Sequence, residues 1–383
     1  MPLSKIILYI SIPIILLSCF LFIKFSPNNK TEYISKESIV QDKIIEKPID
    51  NIRIILDKMS LEEKVGQMFL AGIYTNDSDE VLKKLIKEKK IGSIILMNSN
   101  IKGKDVHALI NSLQGLATSS SQQNLLITID QEGGIVSRIN NPNLDLTSQT
   151  KIKDYNQAYE VSSKRAKELS LLGINVNFSP VLDYINNPSS FLYNRVFRGT
   201  KEQVSSLGIA MVKGYQDNGI SATVKHFPGH DNNSVDSHRS LPVSSIKEND
   251  LLEYIEVFRN VIKESKPYMV MTSHVLFPKI DAKYPATLSP KIISVLRNDL
   301  LYNGVIITDD MNMGAITTKF GIKEAAKQAV LAGNDILLYV ANEKIINEAY
   351  NEIIDSVNNG QISMDNINNS VYRILSLKKI LSK

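Results

Sequence analysis

From residue 51 onward, short runs of apolar and β-branched residues recur along the chain. They are GSIILM (92–97), NLLITID (124–130), INVNFSPVLD (174–183), SATVKHF (221–227), YMVMTSHV (268–275), GVIITDDM (304–311) and DILLYV (335–340), with GQMFLAGI (66–73) a weaker first member. Runs of this kind, bounded by polar turns, read as strands buried on both faces. Between them lie stretches long enough for helices, among them 154–172 and 201–217, the latter with apolar spacing near 3.6. In MSLEEKVGQMF, Glu63 follows Ser60 by three residues, the capping-box signature of a helix start. Eight strands alternating with helices predict a parallel α/β fold, and this length without an internal linker fits a single (β/α)8 barrel of the TIM type with long βα loops. A doubly wound open sheet is the alternative, but no glycine-rich phosphate loop follows the first strand.

The N-terminal pattern is different. Lys5 precedes an apolar stretch from Ile6 to Ile23, and Lys24 closes it. Such a segment is a secretion signal or an anchor. LLSC (16–19) resembles a bacterial lipobox, which would lipidate Cys19, whereas an uncleaved helix from Ile6 to Ile23 sits near the lower limit of about 17 residues for spanning a bilayer. Either reading exports the rest of the chain and leaves it on the outer face of the cell membrane. Residues 26–50 are polar, charged and aperiodic, as a tether would be. The expected organisation is therefore an anchor over 1–25, a tether over 26–50 and one barrel domain over 51–383.

Composition narrows the function classes. With 43% hydrophobic and 22% charged residues the chain is globular, not disordered throughout. A net charge of +4, to which Lys5 and Lys24 contribute, gives no reason to expect nucleic acid as a partner. Cys19 is the only cysteine, so no intrachain disulfide and no Cys-ligated metal site can form.

Candidate chemistry lies at the strand ends. Asp130, Asp183, His226, His274 and Asp309 each stand at or just beyond the C-terminal end of a different expected strand, the face where a barrel gathers its catalytic groups. Any one of them alone would equally serve as a satisfied core polar group, and Asp309 as the N-cap of the helix that follows. KHFPGHDNNSVDSH (225–238) concentrates three of the five histidines. An acid/base site, a metal site built from His226, His230, His238 and Asp236, and a merely polar loop compete for this segment. The Pro-Gly pair between His226 and His230 prevents the two from sharing the face of a regular helix, as paired ligands commonly do.

DQEGGIVSR (130–138), NFSPVLD (177–183), KHFPGHDNNSVDSHRSLP (225–242), MTSHVLFPKID (271–281), PATLSP (285–290) and GVIITDDMNM (304–313) together resemble glycoside hydrolase family 3, in its bacterial β-N-acetylglucosaminidase branch of the NagZ type. The resemblance implies a retaining exo-β-N-acetylglucosaminidase that removes terminal β-linked N-acetylglucosamine, with peptidoglycan-derived muropeptides as the expected substrates. It implies Asp309 as nucleophile, His238 as acid/base and Asp236 as the partner of that histidine. Most glycosidases use two carboxylic acids; a histidine can take the acid role because an unperturbed imidazole exchanges its proton near neutral pH. Asp130, Arg138, Arg195, Lys225 and His226 match sugar-binding positions, as does Asp183, with bracing of Lys225 or Arg195 as its alternative task. No cofactor and no metal are implied, and the expected state is a monomer. A non-catalytic wall- or sugar-binding protein, a β-glucosidase and an N-acetylglucosaminide phosphorylase are the alternatives on this fold. The sequence departs from the family at Asp231, Asn232 and Asn233, where Gly-Asp-Thr is common, which puts the path of the His238 loop in question.

Overall fold

The computed structural model describes residues 50–382 apart from 75–77, 121, 142 and 233–234. The Ile6–Ile23 run, Cys19 and residues 26–49 of the tether lie outside the described residues. Among the described residues, no helix is long and apolar enough to cross a membrane.

Eight parallel strands form the sheet: β1 Phe69–Gly72, β2 Ser93–Ile95, β3 Leu126–Ile129, β4 Val176–Asn177, β5 Ser221–Phe227, β6 Met269–Thr272, β7 Val305–Thr308 and β8 Leu337–Val340. Neighbours in sequence are neighbours in the sheet, and β8 returns to β1, with Phe69 opposite Leu337 and Gly72 opposite Val340. Between β7 and β8 a parallel bridge joins Ile307 to Ile336, and the Thr308 amide donates to the Ile336 carbonyl at 3.0 Å, so the sheet closes on itself. This is the (β/α)8 barrel that the alternating pattern predicts. All eight strands are buried along their length, which is why they read as continuous apolar runs and not as alternating ones.

Register decides what faces inward. In-register partners of a parallel sheet point to the same side, and Ser93, Leu126, Thr128, Val176, Ser221, Thr223 and Met269 follow one another in this way around the ring. Two residues beyond Thr128, Thr223 and Ile307, the same alternation brings Asp130, Lys225 and Asp309 to the inner side. Gly72 belongs to this row through its pairing with Val340, and a Cβ there would lie 2.6 Å from the Ile95 Cγ2. The weak first strand carries a glycine because the barrel has no room for a side chain at that point.

Helices Tyr155–Leu171 and Lys201–Gln216 match the expected stretches to within a residue at each end. The capping box at Ser60 and Glu63 is formed by both of its bonds, at 3.2 and 2.9 Å. The 174–183 run behaves differently from a continuous strand. Only Val176–Asn177 joins the ladder, and the chain rejoins it at Val181, which bridges Lys225. Pro180 has no amide to give to a ladder at this point. DQEGGIVSR also folds in a way its pattern did not announce, as a small antiparallel hairpin pairing Gln131–Gly133 with Val136–Ser137.

Candidate active site

A cavity of about 210 Å³ opens at the C-terminal ends of the strands, and Asp130, Arg138, Arg195, Lys225, His226, His238 and Asp309 all line it. Asp183 and Asp236 stand directly behind it, bonded to its histidines.

One side of the mouth is an ion-pair network centred on Glu132, a residue the sequence reading passed over. Lys225 Nζ lies 2.8 Å from Asp130 and 2.6 Å from Glu132. Arg195 grips Glu132 in a two-point fork, Nε at 2.9 Å and the terminal nitrogen at 2.7 Å. Arg138 approaches Asp130 at 3.7 Å. Burial alone would raise the Glu132 pKa, but Arg195 and Lys225 outweigh it and hold the carboxyl down at about 2. Lys225 is pushed up, because Asp130 and Glu132 overcome the burial that would lower it. Glu132 is only 1% exposed. Its signal in the sequence was the i, i+2 spacing from Asp130, which keeps both carboxylates on one side of an extended chain. The hairpin holding it is pinned from outside by buried Arg165, which donates to the carbonyls of Glu132, Asp145 and Thr147.

Asp183 does not brace Lys225 or Arg195. Its carboxylate receives four N–H groups: the amide and Nδ1 of His226, at 2.9 and 2.8 Å, and the amide and Nδ1 of His230, at 2.8 and 3.1 Å. Burial opposes its ionisation, yet the two imidazoles and these bonds hold it well below the usual carboxylate range. A carboxylate only accepts, so both Nδ1 atoms carry hydrogens and each ring turns its Nε2 away from Asp183. Burial lowers the His226 pKa against the pull of Asp183. In the neutral ring, His226 therefore presents a lone pair at Nε2.

Asp309 follows β7 directly, and its own Oδ1 accepts the Asp310 amide at 2.8 Å. The next helix starts at Gly314 with Met313 at its cap position, so Asp309 does not cap it. Burial would raise its pKa, but His226, His274, the Asp310 amide and Lys225 bring it down to about 2. It is thus an anion throughout the neutral range. Asp310 is the opposite case. Burial pushes its carboxyl up to about 7, against the amides of Val340 and Asn312 that bond its Oδ1 at 2.9 and 3.0 Å. Two adjacent acids have thus been separated by environment. His274 is buried below them, its Nε2 3.0 Å from the Asp310 carbonyl and its Nδ1 2.9 Å from the Thr287 hydroxyl.

His238 and Asp236 form a pair on the loop after β5. The Nδ1 of His238 lies 2.7 Å from Asp236 Oδ1, and the His238 amide donates to the same oxygen at 3.0 Å. The side chain of His238 is 62% exposed, unlike the buried His226 and His230. Burial is outweighed at Asp236 by these bonds and the neighbouring imidazole, which lower its pKa. The glycine missing after His230 is replaced in kind: Asp231 itself takes φ +55°. Aspartate tolerates that region better than most residues, and here the Tyr254 hydroxyl accepts the Asp231 amide at 2.7 Å while Ser244 donates to its carboxylate at 3.0 Å.

The grouping considered for metal from the sequence, with His238 and Asp236, is not the one brought together. Ligand atoms of Asp183, His226 and His230 lie within 4.8 Å of one another. The Asp183 carboxylate and the two Nδ1 hydrogens are already matched to one another, so a cation binding through these atoms would have to break those bonds.

A closed α/β barrel that gathers ionised carboxylates, imidazoles and ion-paired cations at its C-terminal strand ends has the build of a barrel enzyme. Comparison with known proteins gives the family. The chain belongs to glycosyl hydrolase family 3, whose N-terminal domain matches residues 60–377. It is 34% identical to beta-hexosaminidase A of Pseudoalteromonas piscicida over 330 residues, which cover 78% of this chain and 54% of that protein. It is 26% identical to beta-hexosaminidase LpqI of Mycobacterium tuberculosis, over 84% of this chain and 83% of the relative. Among solved structures, a glycoside hydrolase family 3 β-N-acetylglucosaminidase from Paenibacillus sp. str. FPU-7 superposes with a TM-score of 0.79 at 39% identity, covering 85% of this chain and 63% of that one. The chain thus spans little more than half to two thirds of the length of these two longer relatives.

Proposed function

We propose that this protein is a retaining exo-β-N-acetylglucosaminidase. The observation that carries the reading is the meeting in one cavity of Asp309, held ionised, with His238, whose Nδ1 is bound to Asp236 at 2.7 Å. Asp309 attacks the anomeric carbon as the glycosidic bond breaks, and His238 Nε2 gives its proton to the departing oxygen. The product is a covalent glycosyl-enzyme; a water then attacks it, surrendering a proton to His238 and releasing the sugar with its configuration retained. Asp236 fixes the tautomer that leaves Nε2 free for this traffic. Lys225, Asp130, Arg195 and Arg138, with the Nε2 lone pair of His226, grip the ring hydroxyls, and Asp183 aligns His226. The names of the relatives support an amino-sugar substrate. Terminal N-acetylglucosamine on peptidoglycan fragments is the substrate we propose, acted on by a monomer exported and held at the membrane by its N-terminus.

Mutation separates the two roles. Asp309→Ala stops turnover of every substrate. His238→Ala slows substrates with poor leaving groups by about 10² to 10⁴, the usual worth of an acid/base group, and spares glycosylation by activated aryl groups. With an activated aryl N-acetylglucosaminide, that variant gives a burst followed by slow turnover, and mass spectrometry finds the sugar on Asp309. Equal losses across leaving groups, or an adduct on another carboxylate, would reject the assignment. Hydrolysis no faster than in buffer would favour a binding protein, faster cleavage of an aryl glucoside a glucosidase, and sugar phosphate formed in phosphate buffer a phosphorylase. For the anchor, metabolic labelling with a fatty acid should mark the wild-type chain and not Cys19→Ala; membrane retention with no label on either would favour the spanning helix.

A further inference from the structure

His230 takes no part in this chemistry, yet it is built in as firmly as His226. With its Nδ1 and amide committed to Asp183, its Nε2 lies 3.4 Å from the hydroxyl of Ser237. Ser237 is buried, 1% exposed, between the two members of the Asp236–His238 pair. Phe191 sets its ring edgewise to both imidazoles, 5.4 Å from His230 and 6.2 Å from His238. On the opposite side, the same loop meets the segment that follows the nucleophile. The Gly314 amide donates to the His238 carbonyl at 3.1 Å, and the Ala315 amide to the Ser237 carbonyl at 3.2 Å. A Cβ on Gly314 would lie 2.6 Å from the Arg239 carbonyl oxygen and 2.9 Å from that of His238. The turn from Asp309 to Gly314 is fixed by Asp310, whose carboxylate accepts the Asn312 and Val340 amides.

We infer that Gly314, Ser237 and His230 are positioning residues, which set the height of the acid/base imidazole over the nucleophile by docking the β5 loop onto the β7 loop. The inference rests on the roles proposed for His238 and Asp309. Apart from the Asp236 bond and the edge of Phe191, the exposed His238 imidazole has little packing to fix it, so its place depends on the backbone beneath it. The backbone here is held from both sides. At 3.4 Å the Ser237–His230 bond is a long one, so most of the hold belongs to the two amide–carbonyl bonds that the bare Cα of Gly314 permits. Acid and nucleophile then keep a common spacing because their loops touch, and not because each is rigid alone.

The test uses the full chain and a series of aryl β-N-acetylglucosaminides of graded leaving-group pKa. Gly314→Ala should lower kcat/KM for the poorest leaving groups by about 10 to 100-fold, the scale expected for a misplacement of an ångström or less, and for the most activated by no more than about threefold. Ser237→Ala and His230→Asn, which retains a donor toward Asp183 but no acceptor toward Ser237, should shift the same dependence in the same direction by about threefold to tenfold, as loss of one weak hydrogen bond would. In a His238→Ala background none of the three should cost anything further. Should Gly314→Ala fail to fold, the other two variants carry the test by themselves. Losses equal across leaving groups, or additive with His238→Ala, would overturn the docking role while leaving the function intact. If His238→Ala itself showed no leaving-group dependence, the role of His238 would fall, and this inference with it.

Discussion

Glu132 holds the sugar side of the mouth together, because it is the carboxylate shared by Lys225 and Arg195. Removing its charge leaves buried Lys225 with Asp130 alone and mostly buried Arg195 without its carboxylate. Breaking such a pair costs about 3–5 kcal/mol, far more than a surface ion pair is worth. Glu132→Gln should therefore lower the unfolding free energy by about that amount in denaturant melts, and raise KM, since Lys225 and Arg195 lose their fixed positions. A change under about 1 kcal/mol would mean that Asp130 alone can hold Lys225. At this scale the sequence was legible in part. Asp130, Asp183, His226, His274 and Asp309 stood out as polar residues ending apolar strands, and Lys225 came only through the family resemblance. Glu132 did not stand out, because it lies in a hairpin with no apolar run to mark it. Nor did the true task of Asp183, whose partners lie 43 and 47 residues away along the chain.

Elements are held at set distances by small residues. Helices Tyr155–Leu171 and Lys201–Gln216 cross where Gly214 meets the other helix; a Cβ there would sit 2.6 Å from the Tyr159 carbonyl oxygen and closer still to the Ser162 hydroxyl. Alanine in place of glycine favours a helix by about 1 kcal/mol, whereas overpacking costs about 1–3 kcal/mol. Contact with backbone, which cannot swing aside, puts this site at the upper end. Gly214→Ala should thus lower Tm measurably, while leaving the dependence on leaving group unchanged. An unaltered or higher Tm would show that the helices can part without loss.

At the scale of the whole molecule, the last helix is tied to the segments that flank the first two strands of the barrel. Lys378, in helix Met364–Leu381, buries its ammonium against the Gln67 side chain at 2.6 Å and the Gly92 carbonyl at 2.8 Å. Burial draws its pKa down to about 7. Between that value and the ordinary lysine value near 10.4, the unfolded chain binds more protons than the fold, so this group's contribution to stability rises with pH across the window. Below pH 7 the fold must hold a buried charge. Lys378→Met removes the titration and keeps the volume, so Tm of the variant minus Tm of the wild type should be greater at pH 6 than at pH 10. A difference independent of pH would mean that the charge is hydrated in the fold.

The sequence by itself determined the barrel, because eight apolar runs alternating with helices have few ways to bury both faces of every strand. It also pointed to the end that carries the chemistry, since acids and histidines stand at the C-terminal ends of five different runs, the face where a barrel gathers its catalytic groups. Register and packing decided the rest. Whether a carboxylate pairs with a lysine, orients two imidazoles or has its pKa raised beside an ionised neighbour depends on burial and on donors brought from other strands. Glu132, Asp183 and Asp310 are all acids in the sequence; only the closed barrel makes them an ion-pair hub, a double brace and a carboxyl with its pKa near 7.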